Sequence, residues 1–309
     1  MQAEPLLHWP EPVTQFVGFI ALFMATGALG FRYAAVRNRL TRDGPEQTVY
    51  VKATQRAATL GLLGASVQAA LLVMQLPHAA ARAHLSTGQL VTTDPQTAAK
   101  CALLLAAIAG LALAATRHRR GWPVAAVGII GGQLAPILSG RWSSLVNPVH
   151  ALLAGLWIGA LSVLLVAGLS TVLRDAARGQ RGPIVADMVN GFSPLALTCG
   201  PLLVLTGLTT AWLHLNPLSS LWTTPYGYAL LTKLCLVALV FGLGAWNWWR
   251  QRPRLGSEES AHLIRRSAAM ELATATLVLI VTAILVSLPS PTPPRPPGSA
   301  APVAAPAEG

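Results

Sequence analysis

Apolar positions along this chain gather into eight blocks, separated by shorter stretches that carry arginine, proline and other polar residues. The blocks are Val13–Phe31, Ala57–Leu76, Ala98–Ala115, Trp122–Leu138, Pro148–Leu169, Phe192–Leu213, Tyr228–Trp248 and Ala268–Leu288. Each is close to the roughly 20 residues that an α-helix needs to cross the hydrocarbon core of a bilayer. The pattern therefore predicts an all-α, polytopic membrane helix bundle with about eight transmembrane helices. The fourth block is the shortest, is rich in glycine and carries Pro136 near its end; the second and third are interrupted by Gln68 and Lys100.

Composition agrees with this pattern. Of 309 residues, 53% are apolar and 11% charged, against roughly a quarter charged in an average soluble chain. The charges that remain are sorted by side. Seventeen Lys and Arg fall after the first, third, fifth and seventh blocks, and three (Arg82, Arg141, Arg295) fall in the opposite connections and tail. By the positive-inside rule this puts both termini outside. The same alternation accounts for the net charge of +11 without nucleic acid as a partner. The first Lys or Arg is Arg32, so the first block reads as a retained span rather than a cleavable signal. Residues 292–309 form a Pro/Ala-rich tail expected to be disordered.

The chemistry available is sparse. Cys101, Cys199 and Cys235 all sit in apolar blocks, with no pairing pattern for a disulfide. Asp43, Asp94, Asp175 and Asp187 read as loop residues. No phosphate-binding glycine loop, paired intramembrane carboxylates or Cys-x-x-Cys is written in the sequence, so no enzyme is expected. Of seven histidines, His150 opens the fifth block and His214 closes the sixth. Those blocks run antiparallel, so both imidazoles should lie at similar depth near the outer surface. Imidazole suits copper, zinc, iron and nickel, and His78, His84 and Met74 add possible outer ligands. Met74 and His78 would share a helix face only past Pro77, where the helix is expected to stop. Spacing alone leaves a second reading open, in which these are tolerated interfacial histidines. Lys100 and Lys233 read as residues that snorkel to the outer interface, and Glu271 as a partner for Arg250 or Asn247. Trp157, Gly155 and Gly159 fit close helix packing.

Four stretches of the second half are similar to the copper resistance protein D (CopD) family of bacterial inner-membrane proteins. His150–Leu165 reads HALLAGLWIGALSVLL and resembles the family's His-then-Trp-x-Gly helix; FSPLAL at Phe192–Leu197 and LVLTGLTTAWLHL at Leu203–Leu215 resemble the next one. LWTTPYGYALLTK at Leu221–Lys233 resembles the family's Thr-x-Tyr-Gly-x-x-Leu-x-x-Lys turn into a helix, and Arg265–Pro291 resembles its last span. The chain departs from the family at Asn147, where an acidic residue is often found.

The resemblance implies a division into an N-terminal four-span half (1–146), a CopD-like four-span domain (147–291) and the tail. It further implies copper handling in the inner membrane, with copper as the bound or transported ion and a periplasmic CopC-like copper-binding protein as a partner beside the bilayer itself. Carried onto this chain, His150 is the best-matched ligand; Lys233, Tyr226 and Gly227 match the turn that they shape. Two other readings stand beside it: a b-type membrane cytochrome with haem between two histidines, and a copper sensor or assembly protein that does not transport.

Overall fold

The computed structural model describes residues 9–37, 39–40, 44, 46–139, 145–214, 219–251 and 258–288, with only the backbone described at His214 and at several positions of the last two helices. Among the described residues it is all-helical. Nine helices carry the fold: α1 (Glu11–Ala35), α2 (Gln47–Arg82), α3 (Thr87–Thr93), α4 (Pro95–Ala115), α5 (Gly121–Leu134), α6 (Val146–Asp175), α7 (Arg178–His214), α8 (Pro225–Gln251) and α9 (Glu258–Ser287). Six of the eight apolar blocks fall within one of them, the fourth runs on from α5 into a tighter helical turn at Ala135–Ser139 and the eighth passes the end of α9 by one residue, α3 being a short extra helix. Six helices are long and apolar enough to cross a membrane; two further apolar helices, Gly121–Ile137 and Leu272–Ser287, are shorter.

Helix starts are written locally. Asp94 caps α4: its carboxylate accepts from the Thr97 hydroxyl and from the Thr97 backbone N–H at 2.9 Å, with Pro95 at the first helical position. These bonds, led by the hydroxyl, hold the Asp94 carboxyl below its ordinary pKa. Ser86 and Gln89 make a reciprocal capping box at α3. Thr224 repeats the device at α8, accepting from Gly227 N at 3.0 Å.

Two helices form the inside of the bundle. About half of the apolar stretch of α1 and of α6 is buried, against about a tenth of that of α8. They meet through small residues: a methyl group added to Gly27 would strike the backbone of Gly159, one added to Gly159 the carbonyl of Phe23, and one added to Gly155 the Thr26 hydroxyl. Without a hydrophobic drive between helices in lipid, this approach of backbones is what packing has to offer. Gly155 and Gly159 thus pack as the sequence predicts. They bracket one of two π-helical stretches in α6, at Gly155–Gly159 and Leu164–Leu169. On its other side α1 meets α2, where the Gln68 amide donates to the Gly18 carbonyl at 2.6 Å. That bond satisfies a polar group that would be costly in hydrocarbon. The hairpin of α4 and α5 packs on α2 around Ala107, Leu111, Ala125 and Ile129.

The structure corrects two expectations. The α2 helix does not stop at Pro77 but runs through it to Arg82. Proline removes one N–H bond, and this site lies in the exposed last turns, where water can satisfy the freed carbonyl. Asp175 and Asp187 are not loop residues. Asp175 ends α6, and Asp187 lies inside α7, which begins at Arg178. The stretch 178–191 is helical because Ile184, Val185 and Met188 recur on one face and bury against Phe31, Val36 and Val172.

Candidate functional site

At one end of the bundle α6 and α7 are joined by two polar rungs. The His150 Nδ1 lies 2.9 Å from the Thr206 hydroxyl oxygen, and the Thr210 hydroxyl donates to Asn147 Oδ1 at 3.1 Å. The spacings explain the pairing: 147 and 150 are one turn apart on α6, and 206 and 210 one turn apart on α7. His150 is half-buried, whereas Asn147 is exposed at the rim. Gly207 leaves room for the ring, since a Cβ there would sit 3.2 Å from His150 Cε1. Lys233 of α8 is also half-buried. One to two turns deeper the three helices close: the rings of Trp157 and Phe241 are 4.9 Å apart, and Phe241 Cε1 also lies against Gly200. The result is a small polar mouth over an aromatic floor.

The turn that brings in Lys233 is built by the Thr-Pro-Tyr-Gly segment. Thr224 is the cap of α8, Pro225 its first residue, and Gly227 packs directly on the Ser220 and Leu221 carbonyls, where any side chain would collide. The Tyr228 hydroxyl then donates to the Trp222 carbonyl at 2.7 Å. Gly227 and its neighbours therefore fix where α8 begins, and with it the register of Lys233.

The other predicted ligands are not gathered here. His78 is exposed on α2, one turn after the exposed Met74, and His84 follows that helix with a left-handed φ of 55°. The side chain of His214 lies outside the described residues, as do those of Glu271 and Arg250. Among the described residues no three His, Cys, Asp or Glu side chains converge. Thr206 and Thr210 were not singled out from the sequence. Their four-residue spacing on α7, opposite the 147/150 pair, is the signal that could have found them.

A second polar cluster lies at the opposite end. The Arg39 guanidinium pairs with Asp187, whose other oxygen accepts from the Tyr50 hydroxyl at 2.8 Å. Lys52 and Arg56 approach Asp175 at 3.5 and 3.9 Å, and Arg56 donates to the Thr171 hydroxyl at 2.6 Å. Beside Asp187 opens a cavity of about 310 Å³, lined among others by Arg39, Glu46, Tyr50 and Pro183. These are hard oxygen donors already engaged with cations, which suits a structural tie between helices better than a soft metal.

With this geometry in place, comparison with known proteins is informative. Residues 186–285 match the family model described as Copper resistance protein D. Over 154 residues, 49% of the chain, the sequence is 31% identical to the copper transport protein CutJ of Bacillus subtilis (strain 168). The chain spans about a quarter (26%) of that protein's length. No solved structure is significantly similar. The resemblance to the CopD family read from the second half is thus borne out over 186–285, a stretch that contains Thr206, Thr210 and Lys233 but neither His150 nor Asn147. Together with the apolar helices, it marks a multi-pass, copper-related membrane protein.

Proposed function

We propose that this copper-related membrane protein accepts copper ions at the α6–α7 mouth on the outer side of a bacterial inner membrane and moves them into or across the bilayer. The observation that carries the reading is the seating of His150 in the α6–α7 rungs, facing the segment that matches the copper resistance family. An imidazole held at a helix junction by a neighbour's hydroxyl is a prepared nitrogen ligand for copper. His214, His78 and His84 are the further outer-side candidates in this reading. The copper is cargo, and no bond-making chemistry is assigned to the protein.

The same proposal takes all eight apolar blocks as spans with both termini outside. The two shorter apolar helices then serve as spans flanked by interfacial turns. The unit 147–291 carries the mouth, and 1–146 buttresses it through the α1–α6 contact. A periplasmic CopC-like carrier would deliver or receive the ion. Nothing here supplies energy from a nucleotide, so movement follows a gradient or a downstream sink.

The test is cellular copper content in a strain lacking the endogenous homologue and expressing either the intact chain or His150→Ala at matched membrane abundance. The intact chain should change copper accumulation and the variant should not, with the sign giving the direction. Equal copper content in cells with and without the intact chain would end the transport proposal.

A further inference from the structure

We infer that Thr206 is a positioning residue that fixes His150 as its Nδ1–H tautomer and leaves Nε2 as the nitrogen that faces copper; this rests on the copper reading of the same mouth. A threonine hydroxyl has one proton to give and two lone pairs to accept with. The Thr206 oxygen lies 2.8 Å from the Leu202 carbonyl and 3.2 Å from the Leu203 carbonyl, both on its own helix. Carbonyls only accept, so the single hydroxyl proton is committed to them. What the hydroxyl turns towards His150 is therefore a lone pair, and the ring nitrogen 2.9 Å away has to be the donor. The acceptor on the α7 side thus fixes the proton on Nδ1, the nitrogen that faces α7.

A neutral imidazole carries one proton, so with Nδ1 protonated the lone pair is on Nε2. Among the described residues the ring's hydrogen bond runs from Nδ1 to α7, so Nε2 is left to a ligand from elsewhere. This is the outer-shell arrangement by which metal-bound histidines are generally oriented, with the second ring nitrogen hydrogen-bonded to the protein. Here the outer partner is an alcohol in a helix whose own backbone uses up its proton. A valine in its place would keep the shape and lose the acceptor.

The experiment uses the full chain in detergent micelles, with ¹⁵N-labelled histidine and buffered Cu(I) as the probe. The His150 resonances are identified as those lost in His150→Ala. In the metal-free protein Nδ1 should carry the one-bond proton coupling and Nε2 none; a proton found on Nε2 overturns the inference whatever the copper result. In Cu(I) titrations against a competing chelator, Thr206→Val should weaken binding about 10–100-fold, and Thr206→Ser should restore it. If His150→Ala abolishes the site while Thr206→Val binds as the wild type does, the positioning role is wrong and the copper reading stands. If His150→Ala binds as the wild type does, the copper reading itself fails at this residue.

Discussion

At the scale of single residues, the decisive contacts are made by side chains that the hydropathy pattern treats as interruptions. Thr224 caps α8 through Gly227 N, and Gly227 has no room for a side chain against the Ser220 and Leu221 carbonyls. Thr224→Ala should cost about 1 kcal/mol, as loss of a helix cap does. Gly227→Ala should cost more, because backbone rather than a flexible side chain stands in the way. Thermal unfolding of the two variants in the same detergent checks the order; equal melting points for Gly227→Ala and wild type would refute the packing argument. His150 was legible from the sequence as a candidate ligand, because a histidine at the mouth of an apolar block is conspicuous. Its partner Thr206 was not, because threonine is common in membrane helices and usually bonds only its own backbone, as Thr26 does with Leu22 at 2.8 Å. Only the facing of α6 and α7 in space shows that this hydroxyl has a second role.

Between whole helices the same contrast holds. Apolar blocks specify that helices form and roughly where. They do not specify which helices become central, since α1 and α8 are equally apolar to the eye. What separates them is the placement of small residues. Gly27, Gly155 and Gly159 let α1 and α6 touch backbone to backbone, whereas Gly242 and Gly244 of α8 have nothing within 4 Å of an added Cβ. Gly159→Ala should therefore destabilise by roughly 1–3 kcal/mol or more through overpacking. Gly242→Ala, in open space on a helix, should be neutral or stabilising by up to about 1 kcal/mol. Melting temperatures of the two single variants make the comparison, and a stabilised Gly159→Ala would remove α1–α6 packing as the axis of the bundle. The helix ends, by contrast, were only partly legible. The α2 helix reaches back to Gln47 and α7 to Arg178 because turns outside the apolar blocks bury one face on the core, through Val49, Tyr50 and Ala53 in α2 and Ile184, Val185 and Met188 in α7, a cue that hydropathy averages away.

For the molecule as a whole, charge and geometry converge on one arrangement. The ion pairs of Arg39 with Asp187 and of Lys52 and Arg56 with Asp175 tie the end of the bundle where α1 passes into α2 to the end where α6 passes into α7. The Gln55 amide reaches the Ala115 carbonyl at the end of α4 at 3.2 Å. Three connections that the arginine count assigns to one side thus meet at one end of the bundle, and the His150 rungs lie at the other. The eight-span proposal puts these partners on one side of the membrane, whereas an arrangement with one span missing between them would put them on opposite sides. The sidedness in this proposal rests on the basic residues, which the positive-inside rule assigns to the cytoplasmic face. Single cysteines can test it in a chain whose three native cysteines are replaced. A cysteine at Gly88, between α2 and α4, should react in intact cells with a membrane-impermeant maleimide. One at Arg119, between α4 and α5, should react only after the membrane is permeabilised. Labelling of both in intact cells would mean that α4 does not cross the bilayer, and the eight-span arrangement would have to be withdrawn. Labelling of Arg119→Cys alone would keep the spans and invert them, turning the His150 mouth towards the cytoplasm and reversing the side from which the proposed copper site is reached.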